Sequence, residues 1–336
     1  MKKIVFRIII LLLTLTLALP FSSCSNKKIH TDTYYGYFDS FATLTVHGAS
    51  KKDYEVYHSI FTAEIDKYHR LLDPYNEYAD TVNLCTLNHY AAKEPVTVST
   101  DMLDFLEHAI SLYNMTNGYT SIALGALTSV WKDAIENKTV PAQADLEGAS
   151  LHTDISSIEL DFLLRTVYFN DKELLLDAGA LAKGYAAKQL YAALVEAGCE
   201  SFLVNIGGTV CGFGEKGVGK SWHSGIQSPT DNSDMGISIN VSGKAISTSG
   251  SYYRSFESEG VIYHHIIDPV TLFPKNTFTS VSVICSSASV ADAMSTALFS
   301  LTLDEGMALA EQHDLEVVWI LADGTVRTTS GIDYGK

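Results

Sequence analysis

From Ser157 onward the chain breaks into short strand-like runs bounded by turn residues: Ser157 to Asp161, Thr166 to Phe169, Glu173 to Leu176, Phe202 to Ile206, Trp222 to Gln227, Gly236 to Val241, Lys244 to Ser247, Ser280 to Cys285 and Glu316 to Leu321. Few helical segments lie among them. One runs from Lys183 to about Ala197, closed by Gly198, and two more precede the last strand. The first half adds a strand at Phe41 to Val46, a helix over Asp53 to Leu72, a short strand at Val96 to Ser99 and a helix over Asp101 to Asn117 that stops at Gly118. Many strands with few helices among them predict an α+β fold with much antiparallel sheet and packed helices. No repeat, low-complexity tract or linker interrupts residues 34–336, so that span is expected to be one compact domain.

The first residues, MKKIVFRIIILLLTLTLALPFSSC, have the form of an export signal: lysines, an apolar run from Ile8 to Leu19, then small polar residues before Cys24. The run is short of the ~20 apolar residues a spanning helix needs. Phe21-Ser22-Ser23-Cys24 is similar to a bacterial lipoprotein processing site, which would leave Cys24 lipidated. Residues 1–24 are therefore expected to be a lipoprotein signal segment cleaved ahead of Cys24, 25–33 to form a polar tether, and the protein to be lipid-anchored to the bacterial cell membrane, facing outside the cytoplasm. A plain signal peptide or an uncleaved anchor is the alternative.

A formal charge of -16 excludes a nucleic-acid surface, which relies on stripes of lysine and arginine. It also means that any anionic ligand must be met by a local cation or a helix N-terminus. Cys85, Cys199, Cys211 and Cys285 form no C-x-x-C pair and no zinc-finger spacing, and read as buried thiols, with one disulfide open to a protein outside the cell.

Two phosphate-loop patterns overlap in Cys211 to Ser221, CGFGEKGVGKS. Either would need a helix at its end to cradle phosphate. The next residues, Trp222-His223-Ser224-Gly225-Ile226-Gln227-Ser228-Pro229, alternate like a strand and end in proline, so a β-hairpin is expected instead.

Four other stretches carry chemistry. LDAGALAKGY, Leu176 to Tyr185, sets Asp177 at a strand end, then small residues, then Lys183 at a helix start, where an ammonium can meet a phosphate; a tight turn with a capping aspartate and a solvated lysine is the bland alternative. AISTSG, Ala245 to Gly250, ends a strand in hydroxyls suited to a ligand. HHIIDP sets His265 three residues before Asp268, a partner able to orient it as a proton acceptor, although most lone histidines are satisfied structural residues. In SVADAMSTALFSL an apolar helix burying Ala291, Met294, Leu298 and Leu301 carries Asp292, with Thr296 four residues on along the same face. A carboxylate there must be exposed, capping or paired.

In order and spacing, LDAGALAKGY, VNIGG with a hairpin and W-x-x-G-I-x-x-P after it, STSGSYYR, HIIDPVT and ADAMSTAL resemble the ApbE-type FAD:protein FMN transferases, from about Tyr37 to the final strand. The resemblance implies a Mg2+-dependent transferase that attaches FMN from FAD, through a phosphoester, to a Ser or Thr of an envelope partner protein and releases AMP. It assigns Mg2+ to Asp292, Thr296 and the carbonyl of Ala180, all hard oxygen donors. FAD contacts fall on Phe38, Tyr75, Tyr119, Thr120, Ser121, Asp177 and Lys183, with Ser249 beside His265, the base; a shifted alignment puts Tyr78 in place of Tyr75. An FAD pyrophosphatase releasing FMN and AMP, or a non-catalytic FAD-binding lipoprotein, are the alternatives. The chain lacks [S/T]-G-[A/S]-[S/T], the core of the acceptor sequence, so the target is expected to be another protein. It departs from the family at Phe38-Asp39-Ser40, where Met-Gly-Thr is common, at Ser121, commonly acidic, and at Leu272, commonly glycine.

Overall fold

The computed structural model describes residues 28–228, 234–252, 254–330 and 332. The export and lipidation reading of residues 1–24 lies outside them, as do residues 25–27. Among the described residues the strands are β1 (Ile29–Tyr37), β2 (Ser40–His47), β3 (Val96–Thr97), β4 (Ile158–Asp161), β5 (Thr166–Phe169), β6 (Phe202–Ile206), β7 (Thr209–Phe213) and β8 (His223–Gln227). They continue with β9 (Asp234–Asn240), β10 (Ala245–Gly250), β11 (Ser255–Ser258), β12 (Val261–His264), β13 (Phe278–Cys285), β14 (Glu316–Leu321) and β15 (Val326–Thr328). The helices are α1 (Lys51–Leu71), α2 (Leu84–Tyr90), α3 (Thr100–Met115), α4 (Gly125–Asn137), α5 (Gln143–Ser150), α6 (Ala182–Glu196), α7 (Ala288–Ser300) and α8 (Leu303–Gln312).

An eight-stranded antiparallel sheet, ordered β1-β2-β6-β7-β10-β13-β14-β15, is the frame, which gives the expected α+β architecture. One face carries α6 and α7. Leu44, Val204 and Ile206 of the sheet bury against Tyr185, Ala186 and Leu190 of α6 in a core shared with α1 and α3. Helix α7 is buried nearly all round, its polar Ser289, Asp292 and Ser295 included: Ala291, Met294 and Leu298 are fully buried, with Val281, Val283 and Trp319 of the sheet in the same core. The β8–β9 hairpin covers the other face, burying Trp222, Ile226, Ile237 and Ile239 with Val210, Ile246 and Ile284. No helix among the described residues is long and apolar enough to cross a membrane.

Four expectations change. Residues 29–33, assigned to the tether, are strand: Ile29 pairs with His47, and threonine hydroxyls meet across β1 and β2 at Thr31–Thr45 (3.1 Å) and Thr33–Thr43 (3.0 Å). Glu173 to Leu176 joins no sheet. Its backbone is satisfied elsewhere, with Gly125 N–H donating to Leu175 O at 3.0 Å and the Asn88 side chain holding both the N–H (2.7 Å) and the carbonyl (2.9 Å) of Leu176. Helices α2, α4 and α5 are additions to the expected elements: α2 and α5 are short, whereas α4 buries Leu127, Trp131 and Ala134 at helical spacing. The glycine-rich segment starts no helix, as expected, but the strands around it form no hairpin with each other: β7 pairs with β6 and β10, and β8 with β9. Strand β7 ends at Phe213, Gly217 bridges to Lys220 in a tight turn, and β8 comes next with no helix between.

Candidate active site

The site is built where the N-terminus of α6 crosses α7. Gly184, the third residue of α6, lies so close to α7 that an added Cβ would stand 2.4 Å from Asp292 Cβ and 2.7 Å from Ala288 O. Only glycine fits there, and the contact brings the Gly184 N–H to Asp292 Oδ2 at 2.7 Å. No side chain near α6 in sequence caps it: Leu181, its N-cap residue, makes no side-chain bond. Asp177 is taken up by Gly179 N–H (2.7 Å) and the Thr128 hydroxyl (2.8 Å) rather than by the helix. The acid that serves the start of α6 comes from α7.

Asp292 is 4% exposed, which overturns the exposed alternative. On its other oxygen, Oδ1, Ser247 of β10 donates at 2.8 Å and Thr209 of β7 lies at 3.2 Å, the two hydroxyls themselves 2.8 Å apart. Lys183 Nζ stands 4.0 Å from Oδ1, beyond hydrogen-bond reach, and donates to Gly179 O at 3.4 Å. A buried carboxylate is thus met by three neutral donors and one distant ammonium, leaving a lone-pair direction on Oδ2 and a charge only partly offset. Thr296, one turn along α7, places Oγ1 3.2 Å from Ser249 Oγ. In a continuous helix the Gly184 N–H would end on Ala180 O, four residues back. Helix α6 begins at Ala182, so the Gly184 N–H is a first-turn donor with no partner inside the helix; Asp292 takes it, and no hydrogen bond among the described residues reaches the Ala180 carbonyl. Carboxylate, hydroxyl and carbonyl are the oxygen donors a hard divalent cation prefers, and they fit the expected Mg2+ set.

His265 and Tyr75 flank this centre. Both are exposed, and the groups around them shift their proton affinities. Desolvation pushes the His265 imidazole down to about 4, with Arg254, His264 and Lys183 adding to the effect. Desolvation pushes the Tyr75 phenol up to about 12, and Asp177 and Asp39 reinforce it. Lys132 of α4 sits over the Tyr75 ring, 3.5 Å from its centroid. Tyr78 turns away, donating to Asp73 (2.9 Å) beneath the Arg70 guanidinium, which leaves Tyr75 as the residue beside Asp177 and Arg254.

Phe38 and Asp39 form the two-residue turn between β1 and β2, both at positive φ (51° and 52°) without a glycine, a conformation that costs non-glycine residues. The turn is pinned by Phe38 N–H to His69 Nδ1 (3.3 Å) and by Asp39 to Arg254 (3.4 Å).

One expectation fails locally. Asp268 does not orient His265. It is fully buried, accepts from Val270 N–H and Thr271 Oγ1, and pairs with Lys275 at 2.9 Å, while the His265 backbone N–H donates to Arg254 O. The buried Thr120 hydroxyl donates to Ala293 O (2.8 Å) and ties the Tyr119 turn to α7, while the buried Ser121 hydroxyl accepts locally from Ala123 N–H (3.1 Å). Tyr119 packs partly buried against the α7 core. Gly184, Thr209, Lys132 and Asn88 join the site without having been legible as site residues in the sequence. Only Gly184 lies inside one of the chemical motifs; the others act across elements and have no local pattern.

The sequence profile described as the ApbE family matches residues 38–319. A protein of Treponema pallidum (strain Nichols) named FAD:protein FMN transferase is 32% identical over 269 residues, covering 75% of this chain and 74% of its own length. One of the same name from Klebsiella pneumoniae (strain 342) is 31% identical over 237 residues, 70% and 73% of the two chains. Among solved structures, the flavin transferase ApbE from Vibrio cholerae is similar with a TM-score of 0.76 at 25% identity, over 90% of this chain and 97% of that one. The ApbE protein from Thermotoga maritima shares the fold, with a TM-score of 0.80 at 23% identity over 90% and 97%.

Proposed function

The chain belongs to the ApbE family, and on that premise we propose that it is an FAD:protein FMN transferase that moves FMN from FAD to a serine or threonine hydroxyl of an envelope protein. The observation that carries this reading is the buried Asp292 carboxylate, set among Ser247, Thr209 and the Gly184 amide, with Lys183 4.0 Å away and Thr296 one turn along α7.

In the reaction the acceptor oxygen attacks the FMN-side phosphorus. The bond from that phosphorus to the bridging oxygen breaks, and AMP leaves with the bridging oxygen. Asp292, Thr296 and Ala180 O would hold Mg2+, which when bound supplies positive charge against the pyrophosphate. Lys183 offers the same negative charge a second cation, from the first turn of α6. His265, neutral over the physiological range, takes the acceptor's proton. Its low basicity in the free protein comes partly from Arg254 and Lys183, so an anionic substrate that neutralises them makes it a better base as it binds. Tyr75, next to Asp177, offers an open aromatic face opposite Lys132 for a flat ring system. The envelope location rests on residues 1–24, read as an export and lipidation signal that anchors the enzyme outside the cytoplasm.

Incubation of the chain with FAD, Mg2+ and a bacterial membrane extract tests the reading. Covalently fluorescent protein bands with matching AMP release, both lost in Asp292→Asn, are expected. AMP with free FMN and no bands would mean that water is the acceptor, and no AMP at all would leave only a binding protein.

A further inference from the structure

Outside this site, Glu77, Cys85 and His89 bring one oxygen, one sulfur and one nitrogen within 4.8 Å of one another. Cys85 and His89 are four residues apart on α2, which places them on one helix face. Glu77 reaches them from the Asp73–Tyr78 loop and already meets His89 Nδ1 at 2.8 Å.

The frame around the three is fixed from both sides. Asp73 accepts from Tyr75 N–H, Asn76 N–H, the Asn76 amide and the Tyr78 hydroxyl, so the residues flanking Glu77 are held in place. Asn83 caps α2 in a reciprocal capping box with Thr86 and donates to the carbonyls of Arg70 and Asn76. Cys85 is buried, whereas the side chains of Glu77 and His89 are 48% and 58% exposed, so the cluster has a closed floor and an open mouth.

We propose that Glu77, Cys85 and His89 form a second cation site, selective for a zinc-class ion and open to solvent at its fourth position. In a tetrahedral zinc site with bonds of about 2.0–2.3 Å the donors stand roughly 3.4–3.7 Å apart, so these three need only small side-chain movements to close on an ion. Sulfur and imidazole donors favour zinc-class ions and are poor ligands for Mg2+ and Ca2+. On binding, the Cys85 thiol gives its proton to solvent and forms a sulfur–metal bond, and the Glu77–His89 hydrogen bond gives way to two metal bonds. The site sits at a junction. Tyr75 is two residues before Glu77, and Asn88, beside His89, holds Leu176 just ahead of Asp177. An ion there ties the Tyr75 loop to the helix that positions the Asp177 segment. The binding claim itself is independent of the flavin-transfer reading.

Titration of the metal-free full chain with Co2+, in buffer containing Mg2+, tests this. A near-ultraviolet thiolate-to-cobalt band with visible absorption of tetrahedral cobalt is expected, displaced by one equivalent of Zn2+ and absent in Cys85→Ser. Glu77→Gln and His89→Ala, at half-exposed positions that leave the fold intact by circular dichroism, should each weaken Zn2+ binding at least about tenfold. Absence of the band, its survival in Cys85→Ser, or unchanged affinity in both Glu77→Gln and His89→Ala would overturn the proposal. If Cys85→Ser fails to fold, the other two variants decide.

Discussion

The Gly184 amide donates to the Asp292 carboxylate at 2.7 Å across 108 residues of sequence, so the acid of one helix caps the start of the other. The Ala180 carbonyl, four residues before Gly184, has no donor among the described residues, and Lys183 stands 4.0 Å from the acid. One helix crossing thus sets a carboxylate and an ammonium at the N-terminus of α6, where an anionic substrate gains most from the helix.

Gly184→Ala should be poorly tolerated, because its Cβ would overlap Asp292 Cβ and Ala288 O in rigid backbone surroundings. A loss of about 1–3 kcal/mol in urea unfolding is expected, with a larger fall in AMP release from FAD. Gly148→Ala in α5, where an added Cβ meets nothing within 4 Å, should instead stabilise the protein by about 0.5–1 kcal/mol and leave activity unchanged. Equal effects from the two would show that the crossing is not tight.

Asp292→Asn separates charge from hydrogen bonding. The amide oxygen can still accept from Gly184, and the Ser247 and Thr209 hydroxyls can rotate to accept from the new N–H groups. Urea stability should stay within about 1 kcal/mol of the parent. Turnover of FAD should fall at least about a hundredfold, because the charge that would hold the cation is gone. Near-parental turnover would remove Asp292 from the cation site.

The acid limb of kcat/KM should lie near pH 4. The profile of kcat/KM reports the free enzyme, where His265 is pushed down to about 4, and a base works only when unprotonated, so activity is lost as pH falls through that value. His265→Ala should lower the plateau and abolish the limb. A limb near the ordinary imidazole value would mean that a different group titrates.

Stability should also depend on acid through His108. Burial, helped by Lys188, lowers its imidazole to about 4, while its Nε2 lies 2.9 Å from the fully buried Ser289 hydroxyl. The unfolded chain binds the proton at the ordinary value and the folded chain does not. The contribution is therefore complete above about pH 6.5 and is lost as pH falls toward 4, at up to about 1.4 kcal/mol per pH unit. Urea midpoints at pH 7 and pH 5 should differ less in His108→Gln than in the parent.

Asn88→Ala removes both bonds to the Leu176 backbone and leaves a partly buried N–H and carbonyl unpaired. A loss of about 1–3 kcal/mol is expected by urea unfolding. KM for FAD should rise more than kcat falls, because Asp177 is displaced while Asp292 is untouched. An unchanged KM would show that the Leu176 segment is held by other means.

Local periodicity is enough to find α1, α3, α6 and α7, most strands of the main sheet, and Lys183 in the first turn of its helix, because these depend on near-neighbour spacing. Five short motifs in order are enough to point to the family. Failure of the phosphate-loop patterns is also legible, since Gly225 and Pro229 would interrupt a helix begun after Ser221. The pairing of buried polar groups is not. Sequence leaves Asp292 three fates, and the structure sets it as a buried cap for a helix 108 residues away. Asp268, three residues from His265, pairs with Lys275 instead, and Glu173 to Leu176, strand-like in composition, is claimed by Asn88 and Gly125. In an interior with little water a polar group must take whichever partner the packing of distant elements brings within 3 Å, and that choice is made by tertiary contact.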